Sequence, residues 1–106
     1  MLVENTCEYL LNNIDQDLNQ KKIAKAMNTN RDRLARAFKD ETGMGVGAWL
    51  RKQRMNIAKD KLLTTDFTVC EISASVGYYD QANFATTFKR TFDISPQQYR
   101  KESERK

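Results

Sequence analysis

The sequence predicts an all-α protein of seven helices, arranged as two helix-turn-helix subdomains joined by a long central helix. Apolar residues recur three and four positions apart along the chain, and no stretch alternates at period two for long enough to form a convincing strand. The pattern from Ile23 to Trp49 recurs from Ile72 to Tyr99, at an offset of 49 residues before the turn and 50 after it. The second copy therefore has one extra residue in its turn, near residues 78–79.

The first subdomain, residues 1–45, begins with two predicted helices. One apolar face of the first helix is formed, at helical spacing, by Cys7, Leu10, Leu11 and Ile14. Residues 15–18 break this pattern. Asn19 can then cap a second helix that runs to about residue 27, because a side-chain oxygen at this position accepts from an unpaired amide of the first turn.

A tight turn and a third helix complete this subdomain. Asn28 tolerates a left-handed backbone, and Asn30 can cap the helix that follows. That helix is predicted from about residue 31 to residue 42, with Leu34 and Phe38 pointing inward. Gly43 ends it, because glycine accepts a positive φ at little cost.

The central helix is predicted over residues 46–63. Its apolar positions are Trp49, Leu50, Ile57, Ala58 and Leu62. At about 1.5 Å per residue it spans roughly 27 Å, not far below the ~34 Å between successive major grooves on one face of B-DNA. A rigid helix of this length can hold two recognition helices about one helical turn apart. The alternative is a single seven-helix core in which the spacing has no meaning.

The second subdomain, residues 64–106, carries a matching set of helix signals. Residues 64–66 close the central helix, and the segment from Thr68 to Glu71 is a capping-box sequence that opens the fifth helix. Gly77 ends the fifth helix, and Asp80 caps the sixth. Pro96 opens the seventh helix, since proline is tolerated in the first helical turn.

Composition argues against several classes of protein. No apolar run approaches membrane-spanning length, and the first four residues lack the basic and then apolar layout of a signal peptide, so we expect a cytoplasmic protein. The chain has no histidine, no paired carboxylates in an apolar setting and no glycine-rich phosphate loop, so we expect no catalytic residue, no enzyme activity and no cofactor. Cys7 and Cys70 lack CxxC spacing; we expect no metal site and predict both to be small buried residues.

Charge is distributed unevenly along the chain. The formal net charge is +4, but residues 1–18 carry four acidic and no basic side chains, whereas residues 19–63 carry twelve basic and four acidic ones. Residues 64–99 carry two basic and four acidic side chains. An electropositive first half suits a polyanion, because neutralised phosphates release counterions. The alternative is a charged surface that only keeps the protein in solution.

Two copies of a helix-turn-helix suggest one molecule that binds two neighbouring major grooves of a DNA duplex, since a helix fits there and base edges are distinguishable. Because Leu34 and Phe38 point inward, the third helix leaves four candidate base contacts outward: Arg31, Asp32, Ala35 and Arg36.

The arginines are the strongest of these candidates. Arg36 can grip guanine through two parallel hydrogen bonds, and otherwise it is a solvent-facing arginine. Arg31, in the first turn, can contact a base or a phosphate. Asp32 can accept from a cytosine amino group or stabilise the start of the helix, and the second role is slightly favoured.

In the sixth helix Phe84 and Phe88 face inward, which leaves as candidate base contacts Gln81, Ala82, Ala85 and Thr86. A glutamine can pair with adenine, and an alanine can touch a thymine methyl group. Basic residues late in the two helices or early in the central helix are predicted to contact phosphates instead: Lys39, Arg51, Lys52, Lys89 and Arg90.

Three further residues are assigned to structure. Trp49 and Tyr99 occupy equivalent places in the two copies, where core packing is favoured over stacking on bases. Arg54 shares a helical row with Leu50 and Ala58, so we expect a partnered charge and a structural role.

These residues resemble the DNA-binding domain of the arabinose-regulator (AraC/XylS) family over about residues 5–101. The family's signature is matched by Gly77-Tyr78, Phe84, Phe88-Lys89-Arg90, Phe92 and Ser95-Pro96-Gln97-Gln98-Tyr99-Arg100, and its first half by Leu34, Arg36, Phe38-Lys39, Gly43, Arg54, Ala58 and Leu62. The chain departs from the family pattern at Asn28, Lys61 and Thr86, the last of which stands where an arginine is common.

The resemblance implies a single AraC-type DNA-binding domain over residues 1–106 of a bacterial transcriptional regulator, usually an activator, whose third and sixth helices enter adjacent major grooves. Its partner would be double-stranded DNA, with RNA polymerase as a second candidate and no membrane. An effector ligand would be bound by a domain outside this chain. The competing hypothesis is a helical adaptor that binds protein and has little affinity for DNA.

Overall fold

The computed structural model describes residues 1–104, and within that range it contains seven helices and no strand, which confirms the all-α prediction. The helices, in chain order, are α1 (Leu2–Asn12), α2 (Gln20–Ala26), α3 (Arg31–Thr42), α4 (Val46–Thr64), α5 (Val69–Ser75), α6 (Gln81–Phe92) and α7 (Pro96–Glu104). They form two compact units: unit 1 is Met1–Gln53, and unit 2 begins at Arg54. The chain of α4 therefore starts in unit 1 and ends in unit 2.

Unit 1 has a small apolar core to which each of its helices contributes. The buried residues are Val3, Leu10, Ile23, Ala24, Leu34, Phe38, Val46 and Leu50. The rings of Phe38 and Trp49 meet edge to face with centroids 5.7 Å apart, as aromatic quadrupoles favour. Trp49 is therefore part of the packing of α3 against α4, as expected.

Unit 2 has a core that is richer in aromatic rings. Its buried residues are Met55, Ala58, Leu62, Ile72, Val76, Phe84 and Phe88. Phe88 lies at the centre, with ring centroids 5.9 Å from Phe84, 4.7 Å from Phe92 and 5.9 Å from Tyr99. Tyr99 is thus a packing residue, like its counterpart Trp49.

Local side-chain caps start α2 and α3, as the sequence predicts. The side chains of Asn19 and Asn30 accept from the amides of Lys22 and Arg33, each at 2.8 Å. These bonds satisfy amides that a helix start would otherwise leave unpaired.

The start of α5 is a reciprocal capping box. The Thr68 hydroxyl accepts from the Glu71 amide at 3.0 Å, while the Glu71 carboxylate accepts from the Thr68 amide at 2.9 Å. The hydrogen bond from the Thr68 amide lowers the pKa of the Glu71 carboxyl, because it favours the charged form.

Positive φ angles mark equivalent turns in the two units. Asn28 (φ 56°) ends the first short helix, and Gly77 (φ 88°) ends the second. After the longer helices the residue types are exchanged, with Gly43 at φ 79° and Asp93 at φ 64°. Each unit therefore has one left-handed residue after its short helix and another after its longer helix, and in each unit only one of the two is glycine.

Arg100 fixes α7 to the chain that leaves α4. Its guanidinium donates to the carbonyl oxygens of Leu62 at 3.1 Å, Phe67 at 2.6 Å and Thr65 at 3.2 Å. This matches the rigid fork of five donors that a guanidinium provides. Arg100 is therefore a structural residue of unit 2.

The prediction for the buried face of α1 was wrong in part. The helix ends at Asn12, and its buried residues are Val3, Thr6 and Leu10, whereas Leu11 is 44% exposed. Thr6 can be buried because its hydroxyl donates to the Leu2 carbonyl at 2.7 Å. The buried residues of α1 do follow the helical spacing of three and four residues, but one of them is a threonine.

Two other predictions of burial need correction. Cys70 is exposed, and Cys7 is only partly buried, although burial raises the pKa of the Cys7 thiol. In α4, Met55 is fully buried and Ile57 only partly, so the apolar row of the second half passes through Met55, Ala58 and Leu62.

No segment between residues 1 and 104 combines the length and hydrophobicity that a membrane-crossing helix requires.

Candidate nucleic-acid interface

The outward face of α3 is set by the two residues that it buries. Leu34 and Phe38 lie in the core of unit 1, four residues apart on one side of the helix. The opposite side carries the four candidate base contacts, all of them exposed: Arg31, Asp32, Ala35 and Arg36. Side chains that read base edges in a groove must be exposed, and these four are.

A cleft of about 680 Å³ opens between α2 and α3. Its lining residues come from both helices and the turn: Gln20, Lys21, Ala24, Lys25, Asn28, Thr29, Asn30, Arg31, Asp32 and Ala35. Three of the predicted base contacts, Arg31, Asp32 and Ala35, thus border one surface with two lysines of α2. Arg36 and Lys39 do not line this cleft.

The lysines of α2 were not among the predicted contacts. Lys21 and Lys25 lie four residues apart on α2 and are exposed at the cleft. Lys22 differs, because its ammonium lies 3.7 Å from the Asp17 carboxylate and also donates to the Asp17 carbonyl at 3.2 Å. The spacing of Lys21 and Lys25 on a helix whose other face is apolar is the sequence signal that could have found them.

The outward face of α6 is neutral at its start. Phe84 and Phe88 are buried, and the candidate base contacts Gln81, Ala82 and Thr86 are exposed, with Ala85 half-buried. The Thr86 hydroxyl donates to the Ala82 carbonyl at 3.0 Å. Its hydrogen is therefore used within the helix, and the side chain offers DNA an acceptor oxygen and a methyl group.

The predicted phosphate contacts are all exposed: Lys39, Arg51, Lys52, Lys89 and Arg90. Lys39 and Lys89 occupy the same place, in the last turns of α3 and α6. Arg51 and Lys52 follow the start of α4 in unit 1. Exposed cations at such places can neutralise phosphates without reading sequence.

Arg54 has the structural role that its position in α4 predicts. Its guanidinium carbon lies 5.9 Å from the centroid of the Tyr78 ring, which is within range of a cation–π contact. The Tyr78 ring in turn meets Phe84 edge to face at 5.7 Å. Arg54 therefore supports the turn that precedes α6.

The two short helices differ in charge more than the long ones do. α2 carries Lys21, Lys22 and Lys25 and no acidic residue, whereas α5 carries Glu71 and no basic residue. No group of three or more histidine, cysteine, aspartate or glutamate side chains that could hold a metal ion occurs within residues 1–104. The exposed basic side chains of unit 1 thus lie on α2, α3 and the first half of α4.

Comparison with known proteins gives consistent matches. A family model described as a helix-turn-helix domain matches residues 23–102. The regulatory protein SoxS of Salmonella typhimurium is 31% identical over 99 residues, which are 93% of this chain and 92% of SoxS. The chain is thus similar to a regulator of nearly its own length.

Solved structures share the fold closely. The C-terminal domain of AraT, a response regulator from Geobacillus stearothermophilus, is 34% identical with a TM-score of 0.92, covering 95% of this chain and 84% of that domain. The DNA-binding domain of AdpA, a global transcriptional factor solved in complex with a target DNA, has a TM-score of 0.89 at 24% identity and covers 94% of this chain and 90% of that one. At the identity of the second pair, the likeness concerns the fold alone.

Proposed function

The chain belongs to the AraC/XylS family of helix-turn-helix regulators, and on that premise we propose that α3 and α6 enter adjacent major grooves of double-stranded DNA and read its sequence. Its function is regulation of transcription through DNA binding. The proposal adds which helices and which residues make the contacts. The proposed base contacts are the eight candidates named above in the first two turns of α3 and α6, and the phosphate contacts are the basic residues named above.

The observation that carries this proposal is the matched pair of capped, two-faced helices. α3 and α6 each have twelve residues, each begins at a side-chain cap after a left-handed turn, and each buries two large apolar residues four positions apart. A helix held in this way exposes the outer face of its first two turns, which is the part that contacts base edges in helix-turn-helix proteins.

Several finer assignments belong to the same proposal. We place the protein in the bacterial cytoplasm, where it would meet its DNA, and assign it an activating role because members of the family are usually activators. The family consists of transcriptional regulators, and we propose no catalytic activity for this chain. RNA polymerase is the proposed protein partner, and any effector would be bound by a domain outside this chain.

Selection of binding sites from a random DNA pool tests the sequence-specific part of the proposal. The selected duplex should bind at least tenfold more tightly than a scrambled duplex of the same composition at fixed salt, since specific sites exceed non-specific ones by far more than this in related systems. Equal binding to the two duplexes would show that the protein does not read sequence.

A footprint on the selected duplex tests the two-groove part. Binding through both helices should protect two major-groove patches whose centres lie about one helical turn apart. A single protected patch would assign unit 2 to another partner, for which the neutral outward face at the start of α6 is the supporting observation. Protection of neither groove would favour the adaptor hypothesis.

A further inference from the structure

Leu63, near the end of α4, is a large apolar residue that unit 2 leaves half exposed. Its exposed fraction is 49%, although the neighbouring Leu62 is buried in the core. Leu63 also lines two clefts, of about 460 and 380 Å³. A single exposed leucine needs no explanation, but one that borders two clefts is placed to anchor another molecule.

The two clefts have an acidic rim. Three carboxylates line them, those of Asp66, Glu102 and Glu104. All three side chains are exposed, and none forms an ion pair with another residue of the range 1–104. Negative charge at this place is therefore available to a partner from outside the chain.

The cation that lines the first cleft is already engaged. The Nε, Nη1 and Nη2 atoms of Arg100 each donate to a backbone carbonyl of the segment between Leu62 and Phe67. These bonds also fix the chain that carries Leu63 and Asp66, which lowers the cost of ordering it when a partner binds. The clefts thus combine an apolar anchor with an excess of negative charge.

The clefts lie away from the proposed DNA-binding face of α6. Tyr99, in α7, lines the second cleft, and its ring centroid is 5.9 Å from that of Phe88, on the buried face of α6. A duplex that contacts the outward face of α6 would therefore leave the clefts open. Their carboxylates would in any case repel phosphates, so a basic protein surface fits them better than DNA does.

We propose that these clefts bind a segment of RNA polymerase that places an apolar side chain against Leu63 and basic side chains beside Asp66 and Glu102. This inference rests on the proposed function, in which RNA polymerase is the protein partner. Charge complementarity selects the chemistry of the segment, and the exposed leucine gives it a contact that excludes water. A second copy of this chain fits less well, because DNA would cover its basic residues on α2 and α3.

Fluorescence anisotropy of the labelled protein, titrated with bacterial RNA polymerase holoenzyme in the absence of DNA, tests this docking. Leu63→Ser should weaken binding about tenfold or more, as loss of an apolar anchor does at protein interfaces. Leu11→Ser is the matched control, because Leu11 is 44% exposed in the last turn of α1. It should bind the polymerase as the wild-type protein does.

The acidic rim is tested by a double variant that changes charge and keeps shape. Asp66→Asn combined with Glu102→Gln should weaken polymerase binding roughly three- to tenfold and make it less sensitive to salt, because two attractive charges are removed. Glu8→Gln, an exposed glutamate of α1, should change neither property.

Binding to the selected duplex separates this docking from the proposed DNA contacts. Leu63→Ser and the double variant should keep the wild-type affinity for that duplex. Wild-type protein that binds the selected and the scrambled duplex equally would instead mark a failure of the proposed function, and the polymerase titration could still be read.

Four results would overturn the docking site. They are no binding of polymerase by the wild-type protein, binding by Leu63→Ser within twofold of the wild type, an equal loss in Leu11→Ser, and self-association in sedimentation experiments that Leu63→Ser abolishes. The last result would assign the clefts to a second copy of the chain. If Leu63→Ser is unstable in thermal unfolding, the double variant decides, since it alters only exposed side chains.

Discussion

Units 1 and 2 share a helix pattern but differ in the charge of their short helices and in the make-up of their cores. The short helices α2 and α5 have seven residues each, and α3 and α6 have twelve each. The three lysines of α2 nevertheless correspond to Cys70, Glu71 and Ala74 in α5, so that only α5 lacks a basic residue. The buried positions thus preserve the fold in both copies, while the exposed positions are free to assign different tasks. We interpret unit 1 as the main source of electrostatic affinity.

The largest expected effect on stability comes from removing one buried ring from the core of each unit. Phe38→Ala and Phe88→Ala each remove a fully buried ring and should lower the free energy of unfolding by about 3–5 kcal/mol. Phe88→Ala should lie at the upper end of this range because Phe88 packs against three rings, whereas Phe38 meets Trp49. Urea unfolding followed by circular dichroism measures both. A smaller loss for Phe88→Ala would contradict the view that the ring contacts of Phe88 make the core of unit 2 more sensitive to this loss.

The helix borders could be predicted from the sequence because their determinants are local. The caps at Asn19, Asn30, Thr68 and Asp80 need only the amides two or three residues ahead, so spacing alone reveals them. The buried face of α1 was missed because it includes Thr6, whose polar side chain hides the apolar row. Its burial depends on a bond to the Leu2 carbonyl that periodicity does not encode.

The candidate interface could be predicted less completely. Leu34 and Phe38 fix the orientation of α3, so the exposure of Arg31 and Arg36 follows from helical geometry. The cleft that joins Lys21 to Arg31 arises from the packing of α2 against α3, which no single helix pattern contains. The choice among the exposed residues stays a prediction, because base contacts depend on the duplex as well as on the protein.

Arg36 in α3 and Thr86 in α6 allow the base contacts of the two helices to be compared. Arg36→Ala should weaken binding to the selected duplex by an amount of order 1–3 kcal/mol and relax preference at one base pair, because a bidentate contact to guanine is lost. Thr86→Ala should have a smaller effect, since its hydroxyl hydrogen is already used within α6. Competition binding with single-base variants of the selected duplex measures both. A larger effect of Thr86→Ala would assign the main base reading to unit 2.

The proposed phosphate contacts of the two units can be compared by substituting lysines. Lys39 and Lys89 occupy the same place in α3 and α6. Lys39→Ala and Lys89→Ala should each weaken binding to every sequence alike and reduce the slope of log K against log salt by about 1. The double substitution of Lys21 and Lys25 by alanine should reduce it further, by about 2, if both lysines reach phosphates. Lys22→Ala is the matched control on α2, because Lys22 already pairs with Asp17. A change in base preference with an unchanged slope would contradict these phosphate assignments.

A smaller effect is expected from exchanging the residues that end the long helices. Asp93→Gly should stabilise unit 2 by up to about 1 kcal/mol, because glycine adopts φ 64° without the strain of a side chain while its freer unfolded chain offsets part of the gain. Gly43→Asp should destabilise unit 1 by about 1 kcal/mol through strain alone, since a Cβ at Gly43 would meet no atom within 4 Å. Thermal unfolding curves of the two variants measure the difference. Equal signs would contradict the comparison.

The smallest effect distinguishes the two short helices by their response to acid. Glu71 in α5 and Lys22 in α2 occupy the same place in the repeat, so only α5 has a carboxylate in its cap. Hydrogen bonding to Thr68 lowers the pKa of Glu71 in the folded state, so its contribution to stability is complete above the unfolded pKa and is lost as the pH falls through the folded pKa. Amide hydrogen exchange should show α5 opening more readily as the pH is lowered through this range, once the intrinsic effect of pH on exchange is removed. Glu71→Gln should abolish that response and leave α2 unchanged; a response that persists in Glu71→Gln would assign it to another carboxylate.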